Sequence, residues 1–106
     1  MSAENVIRNV CLEKISRLEK TLDRAGLDEA ADARTVAALA LAALRQAREV
    51  IGSGRDVDAS EKIMLQALGS QLRVRLKQLS APKGGKLPAT VQETIRMLKV
   101  ASTWHK

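Results

Sequence analysis

The chain has no phenylalanine, no tyrosine and a single tryptophan, with one cysteine, one histidine and two prolines in 106 residues. Each shortage removes a class of structure or chemistry. A core of Leu, Ala, Val and Ile without aromatic rings suits ridge-into-groove helix packing. It suits sandwiches and barrels poorly, because strands favour aromatic and β-branched residues. The lone Cys11 excludes an internal disulfide and with it a secreted disulfide scaffold. Cys11 and His105 together fall short of the four nitrogen or sulfur ligands of a structural zinc site. The opening MSAENVIR carries Glu4 and no apolar run, so it does not read as a signal peptide, and a cytoplasmic protein is expected.

Carboxylates are also scarce in one half of the chain. Residues 1–58 hold nine Lys/Arg against ten Asp/Glu, whereas residues 59–106 hold nine Lys/Arg against only Glu61 and Glu93. The net +6 therefore belongs to the C-terminal half. Such a split points to an anionic partner at that end, or simply to a well-solvated face.

Convergent catalytic groups are missing. A Cys/His pair exists on paper, but Cys11 sits in an apolar seam and reads as a small core residue. Asp56-Val57-Asp58-Ala59-Ser60 opens like a calcium loop, yet Glu61 stands where glycine is needed and Ala67 where the bidentate glutamate is needed. Lys83-Gly84-Gly85-Lys86 lacks the G-x-x-x-x-G-K-[ST] run of a phosphate-cradling loop. No enzyme activity, cofactor, metal or small-molecule substrate is expected.

What is present is helical patterning. In Val36–Ile51, VAALALAALRQAREVI, the residues Val36, Leu39, Leu44, Val50 and Ile51 share one arc at about 100° per residue. Six alanines fill the spaces between them and let neighbours approach on several sides. The stretch is too short and alanine-rich for a membrane span of roughly 20 apolar residues, and it reads as the central helix of an assembly.

Before it, a helix is predicted from about Ala3 to Ala25, capped by Ser2 and ended by Gly26. Cys11, Ile15, Leu18, Leu22 and Ala25 form its heptad seam. A short link at Leu27-Asp28 makes it antiparallel to a second helix over Glu29–Ile51. Gly52-Ser53-Gly54 breaks the chain. A third helix starts at Asp58, whose D-A-S-E has capping-box form, and runs to about Leu79 on a face of Leu65, Leu68, Leu72, Leu76 and Leu79. Gly69 inside it marks a candidate close crossing. After the basic Pro/Gly linker, Thr90-Val91-Gln92-Glu93 offers another capping box and a fourth helix to about Trp104.

The expected architecture is all-α. Residues 1–80 form a three-helix bundle and oligomerisation core, 81–89 a linker, and 90–106 a C-terminal helix that docks on its own bundle or on a neighbouring subunit.

Three functional readings follow. In the first, Lys62, Arg73, Arg75, Lys77, Lys83, Lys86, Arg96, Lys99 and Lys106 track a nucleic-acid phosphate backbone through counterion release, in a homo-oligomeric accessory protein. Small accessory factors of phage packaging and plasmid maintenance share this build, as an analogy of architecture alone. No zinc-finger spacing, RRM aromatic motif or tight helix-turn-helix accompanies it. In the second, an adaptor, chaperone or inhibitor docks partners through the apolar C-terminal helix, with Met97, Leu98, Val100 and Trp104, and through the Ala-rich central helix. The third, a basic helix on anionic lipid, ranks below both because its polar wedge is narrow, and no membrane partner is expected.

Overall fold

The computed structural model describes residues 3–28, 31–79 and 86–105, which hold four helices: α1 (Ala3–Asp28), α2 (Ala31–Gly52), α3 (Ala59–Gln78) and α4 (Lys86–Ser102). The chain is all-α, and consecutive helices pack side by side as a bundle of 43 × 26 × 18 Å. The shortest dimension corresponds to two helix layers at about 8–10 Å between axes. Among the described residues no helix is long and apolar enough to cross a membrane.

The fourth helix, whose docking the sequence left open, lies within the chain's own core. Its Leu87, Val91, Met97, Leu98 and Ala101 are buried beside Ile15 and Leu22 of α1, Leu44 and Ile51 of α2, and Leu65 and Leu72 of α3. Helices α2 and α4 each touch all three other helices, while α1 and α3 do not touch each other. On α2 the buried row includes Ala33, Ala37, Ala40, Ala43 and Ala47, whose methyl groups let another axis come close. On α4 Thr94 is fully buried, and its hydroxyl donates to the Thr90 carbonyl at 2.9 Å, so no polar atom is stranded by the approach.

Three polar ties fix the arrangement. Arg48 of α2 binds Glu19 and, at 3.0 Å, the Ser16 hydroxyl of α1. Lys14 of α1 binds Glu93 of α4 at 2.9 Å. The Val57 N–H, between α2 and α3, donates to the Trp104 carbonyl at 3.2 Å, which holds the end of α4 against that connection.

The start of α3 is the one the sequence indicates. Asp58 Oδ1 accepts the Glu61 N–H at 2.8 Å and the Glu61 carboxylate accepts the Asp58 N–H at 3.1 Å, forming the reciprocal cap. The preceding break turns at Gly54, whose φ of +75° is natural only for glycine.

Two predicted boundaries are corrected. Gly26 does not end α1, which continues to Asp28; a glycine inside a helix costs only about 1 kcal/mol and need not terminate it. Thr90 does not cap α4, which begins one turn earlier at Lys86. Pro88 then falls in the first turn, where N–H groups have no intrahelical partner and the proline loses nothing. Glu93, freed from a capping role, reaches Lys14 and Arg96 instead. The linker predicted over 81–89 is thus helical from Lys86, while residues 81–85 lie outside the described residues, as does the Ser2 cap.

Gly69 lies buried at the α3–α4 crossing, as expected, but the crossing is not tight enough to require it. A Cβ placed there would meet Leu98 Cδ1 at 3.9 Å, an ordinary contact. Gly69→Ala is expected to gain up to about 1 kcal/mol from helix propensity and to raise the melting temperature by roughly 4–8 °C in a domain of this size. Thermal unfolding followed by circular dichroism checks it, and a fall would mean the crossing closes further in solution.

Candidate nucleic-acid interface

Helices α3 and α4 lie side by side, and both carry their uncovered polar edge toward the same groove. On α3, residues four apart share a face, so Gln66, Ser70, Arg73 and Lys77 line up along its edge. On α4 the matching edge holds Gln92, Arg96 and Lys99. Between them the floor is aliphatic: Leu65, Leu76, Ile95 and Leu98. One hollow of about 310 Å³ reaches from Leu65 and Ser102 to Arg73 and Lys99. A second of about 510 Å³ takes in Lys77, Gln92 and Arg96. The two share Arg73 and Ile95, so they form one continuous trough.

Among the described residues four cations border that trough, and no carboxylate lines either hollow. Arg73, Lys77 and Lys99 are exposed and have no ion-pair partner among the described residues. Arg96 is also exposed, and it binds Glu93 at 2.5 Å one turn back along α4. Glu93 in turn is drawn away toward α1. The Lys14 ammonium donates to it and, with Arg96, holds its carboxyl below the usual glutamate range.

The other sequence-predicted cations divide. Lys62 is exposed on α3 one turn before Gln66. Arg75 turns away from the trough, to a face shared with Gln71, Val74 and Gln78. Lys83 and Lys106 lie outside the described residues, as does the side chain of Lys86. Among the residues proposed as a docking face, Met97 and Leu98 are 4% and 2% exposed, inside the chain's own core. Val100 is 39% exposed, and Trp104 is half-buried against the core.

Cys11 is also packed against the core, and burial pushes its thiol above the ordinary cysteine pKa, away from the thiolate form. Sequence reasoning missed the trough's polar members Ser70, Gln92 and Ser102 and its floor residue Ile95. Their signal was their place beside the buried faces of α3 and α4, which becomes readable only once the two helices are known to be neighbours. It missed as well the apolar residues left outside: Ile63, Met64 and Val74 on α3, and Val6, Ile7 and Val10 on α1, all between 48% and 67% exposed.

Comparison with known proteins returned no match: no family model fits the chain, and neither a curated protein nor a solved structure was found similar to it.

Two carboxyls titrate below their ordinary range. Asp58 is held down by the Glu61 N–H first and the Ser60 hydroxyl second, and Glu93 by Lys14 first. A depressed folded-state pKa gives stability that is present above the ordinary carboxyl range and is lost as pH falls through the lowered values. Melting temperature is therefore expected to fall on acidification below about pH 4. In Glu93→Gln and Asp58→Ala variants the neutral-pH melting temperature should be lower and the acid decline shallower. Parallel declines in parent and variants would mean that other carboxylates carry the pH dependence.

Proposed function

We propose that this chain is a non-enzymatic, nucleic-acid-associated helical protein that contacts the phosphate backbone through the α3–α4 trough. One observation carries the reading. Arg73, Lys77, Arg96 and Lys99 come from two helices to the borders of a single groove that no carboxylate lines. Clustered cations of this kind neutralise phosphates, and the released counterions supply affinity without base recognition. The cations lie on helices packed into the core, so their spacing is largely set before binding. An accessory role in a larger nucleoprotein assembly is consistent with the absence of catalytic machinery in the reading of the sequence.

A second reading is supported by Ile63 and Val74, which are 67% and 54% exposed on the side of α3 opposite its buried leucines. Lys62, Arg73 and Lys77 border this strip on one flank and Arg75 on the other. The strip fits a protein partner whose apolar face is edged by carboxylates. The self-association expected from the sequence rests on the further apolar surface at Val6, Ile7 and Val10.

Position can be separated from net charge with two paired variants. Arg73→Gln/Lys77→Gln removes two trough cations, and Arg34→Gln/Arg45→Gln removes two exposed cations of α2. In fluorescence anisotropy with labelled nucleic acid, the first pair is expected to weaken binding about tenfold or more and to flatten the salt dependence by nearly two units of slope. The second pair should change both far less. Equal losses would make the attraction one of overall charge. Undetectable binding of the parent at low salt would remove the first reading and leave the second, for which Ile63→Asp is the disabling variant.

A further inference from the structure

We infer that the α3–α4 trough selects double-stranded over single-stranded nucleic acid and reads no sequence, an inference that rests on the trough being a phosphate-binding surface. Proteins that hold single strands combine a basic channel with aromatic side chains on which the splayed bases stack. This chain has no Phe and no Tyr at all. Its one Trp is not at the trough: Trp104 is half-buried against the core, and its carbonyl is engaged by the Val57 N–H at 3.2 Å. The trough floor is Leu65, Leu76, Ile95 and Leu98, branched aliphatic surfaces that give a base plane no flat partner. An unstacked strand would bring its bases here and gain little from them.

A duplex keeps its bases stacked on one another and carries its phosphates along the outside, where the exposed cations can meet them without any base being unstacked. Its charge density also favours it. Both strands together place one charge per about 1.7 Å of axis, against about 3.4 Å for each strand taken alone. The cations are disposed for two rows. Arg73 and Lys77 are one turn apart on α3, about 6 Å along its axis, and Arg96 and Lys99 about 4.5 Å apart on α4. The two pairs stand on opposite borders of the groove, so both can meet phosphate at once. Backbone contacts of this kind set position and carry no sequence information.

The test uses the full chain and fluorescence anisotropy with a roughly 20-base-pair DNA duplex, a second duplex of unrelated sequence, and the matching single strand, at about 50 and 200 mM salt. The duplexes should bind at least about tenfold tighter than the single strand and agree with each other within about twofold. Four neutralised phosphates predict a slope near −3.6, which is a loss on the order of 100-fold between the two salts. Arg73→Gln/Lys77→Gln should remove most of the duplex preference. A single strand bound as tightly as duplex, or two duplexes bound unequally, overturns the inference while leaving the trough as an anion site. A preference that survives in the variant also overturns it, since the selection then lies elsewhere. Binding of neither form overturns this inference and the phosphate reading together.

Discussion

How closely other helices can approach α2 governs the arrangement of the other three. Along its inner side Ala40, Ala43 and Ala47 are completely buried, with Ala33 and Ala37 nearly so. A methyl group holds a neighbouring axis off far less than a leucine does, and α2 is in contact with all three other helices, whereas α1 and α3 stay apart. Large side chains then fill the two flanks of that contact: Ile15 and Leu22 from one side, Leu65 and Leu72 from the other. Placing α4 at this depth seats it along α3, and the polar edges of the two helices come together only because of it. Bulk added to the alanine row would push the neighbouring helices away from α2 and so disturb their packing.

Charge follows the same geometry. On the first half of the chain, cations and carboxylates pair with each other: Glu13 binds Arg17, and Glu19 binds Arg48. Glu93, one of only two carboxylates after residue 58, is held on the α1 side of α4 by Lys14. The consequence is a pair of helices whose shared groove is bordered by Arg73, Lys77 and Lys99, without an ion-pair partner among the described residues, and by Arg96, which shares Glu93 with Lys14. Exposed ion pairs of this type contribute little stability, so they act here mainly by deciding where positive charge is left over. Stability comes from the aliphatic core, and the uncompensated field on α3 and α4 is available for association.

Much of this was legible in the sequence, for physical reasons that differ between elements. The leucines of α3 and the arc of α2 repeat at helical spacing, and their burial depends on that spacing alone. Asp58 and Glu61 mark a helix start because the reciprocal cap is local. Thr90 and Glu93 have the same pattern yet do not form a cap, since Leu87 gains burial by extending the helix and Lys14 offers Glu93 a partner from another element. Tertiary contacts decided both outcomes, and a local pattern has no access to them. The cations of the trough could be picked out by charge, but their division into Arg73, Lys77, Arg96 and Lys99 on one groove and Arg75 on another face required the pairing of α3 with α4. Met97 and Leu98 read as a docking face in the sequence because α4 carries apolar residues over a wide arc. That arc is wide because α4 contacts all three other helices.

The central claim is that anions meet this protein in the groove between α3 and α4. Two-dimensional amide NMR during titration with a short DNA duplex addresses it residue by residue. Shifts that progress with ligand and concentrate in residues 66–77 and 92–102, leaving the α2 face around Arg34 and Arg45 unchanged, are the predicted result. Shifts spread evenly over exposed lysines and arginines of all four helices, or centred on α1 and α2, would contradict it.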